Sequence, residues 1–117
     1  MIINGINMIM TKGDSESLTV KAQDIYGNPV LLGPGDIVYF TVKIDPAKIG
    51  KSFQKIVTEF FDGLAEIHIR PEDTKNLKPG PYYYDIQVNF ANGEVKTIIP
   101  QPGQIAKLFI AQEVTYE

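Results

Sequence analysis

Residues Pro71 to Lys96 read PEDTKNLKPGPYYYDIQVNFANGEVK. Within them Tyr82, Tyr84, Ile86, Val88 and Phe90 alternate with Tyr83, Asp85, Gln87 and Asn89. Side chains in a strand point to opposite faces at every second residue, so the first set lines one apolar face and the second a polar one. Asn92-Gly93 then offers the two positive φ angles of a type I′ hairpin turn. A two-residue turn there pairs Phe90 with Val95, Val88 with Thr97 and Gln87 with Ile98. Upstream, Pro71, Glu72 and Asp73 suit one helical turn over residues 71–77, because proline is tolerated at a helix start and acids favour its positive end. Pro79-Gly80-Pro81 forbids continuation.

The same alternation recurs on both sides of this segment. Ile6 to Thr11 reads as a first strand, stopped at Lys12-Gly13-Asp14. In Ser17 to Ala22, Leu18, Val20 and Ala22 share one face. Asp24 to Pro29, DIYGNP, is a turn cluster. From Ile37 to Ile44, Val38, Phe40, Val42 and Ile44 are expected inward, and Tyr39, Thr41 and Lys43 outward. Asp45-Pro46 opens a loop that runs through Gly50. Ser52 to Phe61 and Leu64 to Ile69 read as paired strands joined at Asp62-Gly63. A two-residue turn there would set Glu59 opposite Glu66, and like charges directly across are unfavourable, so a longer turn is expected. After Glu94 to Ile99 the chain breaks at Pro100 to Gly103. Gln104 to Gln112 then has apolar residues on both faces, including Ile105, Leu108, Phe109 and Ile110, as a strand covered on both sides would.

Eight prolines and ten glycines in 117 residues leave no long helical period. The reading is one all-β domain over residues 1–117, an immunoglobulin-like antiparallel sandwich of about seven to nine short strands. A chain of this length buries enough surface for a core without staples, and the 44% hydrophobic content agrees with a folded globule. With no cysteine, disulfides and thiolate chemistry are excluded. A net charge of -3 with scattered basic residues argues against a nucleic-acid partner. No apolar run reaches membrane-spanning length. The start, MIINGINMIM, lacks a basic segment and is not read as a signal peptide.

No catalytic constellation emerges, and the expectation is a non-enzymatic protein without cofactor or metal. His68, the one histidine, faces outward with Glu66 and Arg70 and reads as a solvated strand residue. As a base it would need a nucleophile or carboxylate held beside it. Asp14 with Glu16, Asp24 with Asn28, and Glu72 with Asp73 supply loop oxygens, but no spacing matches a calcium loop, and turn and cap roles explain them. Among the tyrosines, Tyr82 sits where a sandwich places its corner tyrosine, with its hydroxyl expected on backbone near Glu72 to Leu77. Tyr84 points into the core. Tyr83, on the outer face with Asp85, is a contact residue or a plain half-exposed strand tyrosine.

These segments resemble a known family along the whole chain. Lys12-Gly13-Asp14-Ser15 looks like an opening "GDS" turn, and DIYGNP at Asp24 to Pro29 like a "D-x-x-G-N-P" turn. Val38-Tyr39-Phe40-Thr41-Val42 resembles a "v-x-F-t-v" strand. Pro71-Glu72-Asp73-Thr74 with Leu77, Gly80, Tyr82, Tyr84 and Asp85 resembles "p-e-D-T-x-x-L-x-x-G-x-Y-x-Y-D". Gly93 with Lys96-Thr97, and Val114-Thr115, resemble the closing pieces. The family is the immunoglobulin-like N-terminal domain of phage baseplate upper proteins and related prophage tail proteins of Gram-positive bacteria. The chain departs from it at Pro100-Gln101-Pro102-Gly103, where the family pattern usually has a single glycine, so a remodelled last connection is expected.

The resemblance implies a structural role: an assembly module of a tail baseplate, on the virion tail after assembly in the host cytoplasm, docking to other tail proteins or to its own copies. The expected docking surface is the outer face carrying Tyr83, Asp85, Gln87 and Ile98. The alternative is a carbohydrate- or surface-binding adhesion module using the outward Tyr26, Tyr39 and Tyr83.

Overall fold

The computed structural model describes residues 1–24, 26–47 and 50–114. Ile25 of the DIYGNP turn, Lys48 and Ile49 of the loop after Pro46, and Thr115 of the closing motif lie outside the described residues. Among these, the chain forms β1 (Ile2–Asn4), β2 (Asn7–Thr11), β3 (Glu16–Val20), β4 (Ala22–Gln23), β5 (Pro29–Val30), β6 (Ile37–Lys43), β7 (Phe53–Val57) and β8 (Ala65–Ile69). A single helical turn, α1 (Pro71–Thr74), leads to β9 (Gly80–Asn89), β10 (Val95–Ile99) and β11 (Lys107–Ala111). The eleven strands exceed the expected seven to nine because short pairs such as β1 and β4–β5 carry no readable alternation.

The large sheet has the order β1-β2-β11-β9-β6-β7, with β10 also on β9. β3 pairs with β8 in the facing sheet, and β4 with β5. This is a β-sandwich with the immunoglobulin placement: β3 and β8 occupy the positions of strands B and E, and β6, β9 and β11 those of C, F and G. The expected antiparallel arrangement holds at every described pairing but one. β2 runs parallel to β11, with Met8 beside Leu108 and Met10 beside Ile110. The first long strand and the last thus close the sheet side by side.

The core lies between the two sheets. Val38, Phe40 and Val42 of β6, Ile67 and Ile69 of β8, and Tyr82, Tyr84, Ile86 and Val88 of β9 are all buried, as the alternation requires. Phe40 meets Phe53 at 6.0 Å and Tyr84 at 5.5 Å between ring centroids, both tilted. These edge-on contacts suit aromatic quadrupoles.

Five local expectations change. First, β7 pairs with β6 and β8 with β3, so the two do not form a hairpin ladder. Only Phe61 and Leu64 bridge across the turn. Asp62 (φ 52°) and Gly63 (φ 75°) adopt the type I′ geometry, and no longer turn is needed. The ladder stops before Glu59 and Glu66 could meet, which removes the repulsion by a different route. Second, Asn92-Gly93 is not a type I′ turn, because Gly93 has positive φ and Asn92 does not. Phe90 N–H bonds the Glu94 carbonyl at 2.8 Å, closing a three-residue loop. Val88 therefore faces Lys96 and Gln87 faces Thr97, one residue off the expected register.

Third, the ladder shifts between Thr97 and Ile99, leaving Ile98 as the extra residue. Fourth, Ile44 is exposed rather than inward, since β6 ends at Lys43. Fifth, the helical turn covers Pro71 to Thr74 rather than running to Leu77. Its Asp73 caps the Arg70 N–H at 2.7 Å and holds Lys55 Nζ at 3.0 Å.

Candidate functional site

The outer face of the large sheet can be read row by row from its register. Ile37, Asn89 and Val95 form one row, and Tyr39, Gln87 and Thr97 the next. Thr41 lies beside Asp85, and Lys43 beside Tyr83, which pairs on its other side with Lys107. The last row is Pro81, Phe109, Ile9 and Ile2, each directly across from the next. The middle of the face is polar, at Gln87, Thr41, Asp85 and Lys43, and the last row is apolar.

Three of the four residues expected to make a docking surface come together here. Tyr83, Asp85 and Gln87 follow one another along the outer face of β9. Lys107 Nζ lies 6.0 Å from the Tyr83 ring centroid, within cation–π range. Burial pushes the Asp85 carboxyl above the usual carboxylate range, against the opposing pull of the Lys43 charge. Ile98 does not join them. As the bulged residue it half-buries against the core, bordering a groove with Leu18 and Ile86. The bulge turns a side chain that strict alternation would place outward.

The last strand is also uncovered. Buried Leu108 and Ile110 face inward, but Ile105 is 62% exposed and Phe109 44%. Ile9 at 44% and Ile2 at 65% extend the same outward row. Among the described residues no element lies over it, so the second cover expected from the sequence is not supplied by them. Phe109 and Ile105 had a sequence signal, apolar residues on both faces of one strand. Ile2 had none, because a three-residue strand is too short to show a period.

The Tyr82 and Tyr84 hydroxyls have structural partners. Buried Tyr82 donates to the Lys78 carbonyl at 2.6 Å, one residue beyond the expected Glu72–Leu77 range. This is the geometry of a tyrosine corner. Tyr84 donates to the Ile6 carbonyl, and burial pushes its hydroxyl up to about 12.

The acidic loop residues serve turns. Asp24 Oδ1 accepts the Asn28 and Tyr26 amides, at 2.9 and 2.8 Å, and the Asn28 bond above all holds its carboxyl below the usual range. Asp36 accepts Gly33 N–H on one oxygen and Ala91 N–H on the other, both at 2.9 Å, tying the loop before β6 to the β9–β10 hairpin. Among the described residues no three acids or histidines gather as a metal site would require.

His68 keeps Glu66 on its face, as the alternation foresaw, and gains Ser17, which it did not. Its Nδ1 is 3.1 Å from Ser17 Oγ, and its Nε2 is 3.6 Å from Glu66 Oε1. Serine, histidine and carboxylate are the right types for acyl transfer, but the stage is wrong. All three are exposed on β3 and β8, where Ser17 and His68 sit directly across the ladder. Glu66 and His68 border an open cavity with Thr19, Lys55 and Arg70, but Ser17 is not among the residues that line it, so the three groups do not converge on one site.

No protein-family model and no curated protein matches this chain. Among the described residues no helix is long and apolar enough to cross a membrane.

Proposed function

We propose that this chain is a non-catalytic assembly module of a phage or prophage tail baseplate, which docks to other tail proteins. Two lines support the reading. The first is the ordered series of turn and strand motifs from Lys12 to Val114, whose central block spans Pro71 to Asp85. The second, which carries it, is the uncovered apolar row Ile2, Ile9, Phe109 and Pro81 across four neighbouring strands. A contiguous apolar strip with a polar border is how protein contact surfaces are built. Asn7 and Lys107 supply that border one row away, with Lys107 N–H bonded to Asn7 Oδ1 at 3.2 Å.

The test is co-purification with the tail proteins encoded beside it. Ile9→Lys and Phe109→Lys place charge on the row without touching the core. Each is expected to keep the chain folded and to abolish assembly. If the doubly substituted chain still assembles, or if the neighbouring genes encode no tail proteins, the reading fails.

A further inference from the structure

The outer face opens into a cavity of about 330 Å³ over Asp85. Its origin is the break in the last strand. Along one edge of β9, β11 pairs as far as Tyr83 and β10 begins at Ile86. Between them the chain from Pro100 to Gln104 leaves the sheet, and it returns where the Ala106 carbonyl accepts Tyr84 N–H at 3.1 Å. Asp85 therefore has no strand beside it on that edge. Tyr83, Pro46, Pro100 and Ile105 line the cavity with ring and aliphatic surface, and Asp85 and Gln104 line it with polar groups.

The volume lies at the lower end of the range for small-ligand pockets. The charges around it select the ligand. An anion entering it meets the Asp85 carboxylate. A cation meets Lys43, which also lines the cavity, so the lining carries one charge of each sign and attracts neither kind of ion. A neutral ring bearing hydroxyls meets neither conflict. Its C–H face lies on Tyr83 and Ile105, and its hydroxyls donate to Asp85. Gln104 already accepts Gln101 N–H on Oε1 at 3.2 Å, which directs its amide NH2 as the donor to a ligand oxygen.

We propose that this cavity is a saccharide site that takes one neutral hexopyranose ring of a glycan. The partial desolvation that raises the Asp85 carboxyl agrees with this, because hydroxyl donors restore the hydrogen bonds that burial removes. The site is distinct from the docking row but lies next to it, since Tyr83 pairs with Lys107 one row away from Pro81 and Phe109.

The experiment is an NMR titration of the ¹⁵N-labelled full chain with D-glucose, D-galactose, D-mannose and N-acetyl-D-glucosamine. Each is taken to about 50 mM, enough to saturate a site of millimolar Kd. At least one sugar is expected to give saturable shifts centred on Tyr83, Asp85, Gln104 and Ile105. Asp85→Ala and Tyr83→Ala should weaken that binding at least about tenfold while the remaining resonances keep their dispersion. If Tyr83→Ala loses dispersion, Gln104→Ala, an exposed loop change, takes its place and should also weaken binding. Ile9→Lys should leave sugar binding unchanged, which separates this site from the docking row. Absence of saturable shifts with all four sugars overturns the proposal. So does binding indifferent to Asp85→Ala, or tighter binding of ethylguanidinium or acetate at the same residues.

Discussion

Thr74 accepts the Gly13 N–H on its side-chain oxygen at 2.8 Å, across 61 positions of chain. Thr74 is fully buried, and it ends the helical turn between the two sheets. The bond therefore pins the turn after β2 to the crossover before β9. In the sequence the "D-T" and "GDS" pieces look like separate motifs. In the fold they are two halves of one contact.

Thr74→Val keeps the shape and removes the acceptor. It should destabilise the chain by about 1–3 kcal/mol, the cost of stranding a part-buried amide. Thr74→Ser keeps the oxygen and should cost clearly less. Urea unfolding of the three proteins checks both, and equal losses for Val and Ser would show that the methyl group matters rather than the bond.

Tyr84→Phe strands the Ile6 carbonyl and should cost about 1–2 kcal/mol at neutral pH. Its pH dependence is diagnostic. The folded hydroxyl is raised to about 12 by burial, whereas the unfolded one titrates near 10. Above pH 10 the unfolded wild type ionises first, so its stability falls by up to about 1.4 kcal/mol per pH unit. The gap between wild type and Tyr84→Phe should therefore narrow between pH 10 and 12. A constant gap would mean that the hydroxyl is solvated.

Asp85→Asn should raise the melting temperature at pH 7. Burial raises the folded carboxyl pKa, so the carboxylate opposes folding wherever it is charged. As the pH falls through the folded pKa and then the unfolded one, wild type protonates and the advantage of Asn should disappear. Thermal melts from pH 7 to pH 3 measure it. A gap that widens on acidification would give Asp85 the opposite sign.

Gly63→Ala should cost about 1–3 kcal/mol, the usual penalty for a side chain in a left-handed conformation. Gly63 has φ 75°, and an added Cβ would lie 2.6 Å from Leu31 Cδ2 and 3.0 Å from Leu31 Cα. The Leu32 N–H bond to the Gly63 carbonyl holds that segment in place, so the clash has no easy relief. Chemical denaturation reads the loss.

Ile98→Lys should destabilise the isolated chain by about 1–3 kcal/mol, the range for burying a charge at a partly buried site. Ile86→Ala, fully inside, should cost about 2–5 kcal/mol. If Ile98→Lys leaves stability untouched, Ile98 is a surface residue after all.

The long strand β9 was legible because ten residues of strict alternation leave one phase possible. The same held for β6 up to its last residue. Ile44 continued the alternation in sequence but not in space, because nothing in a period marks where a sheet ends. Partners were harder to read than strands. Asp62-Gly63 signals a tight turn correctly, yet the strands it joins belong to opposite sheets, and that choice is made by packing across the core. The register of β10 hung on whether Asn92 takes positive φ, a single torsion that moves the pairs of Val95, Lys96 and Thr97 by one residue until the bulge at Ile98 restores it. Tyr83 and Asp85 were visible as outward residues. The cavity they line was not, since it forms where two strands fail to meet.

The parallel pairing of β2 with β11 sets how the sandwich bears mechanical load. Tension applied through the chain before β2 and after β11 pulls these neighbours in opposite directions along their length. The evenly spaced bonds of a parallel ladder then share the force at once instead of opening one by one. β1 should peel away first, as an antiparallel flap on β2, and the β2–β11 seam should then yield in one high-force step. Such rupture is governed by the unfolding barrier rather than by equilibrium stability. A single-molecule trace with only gradual low-force extension would rule out this shear clamp.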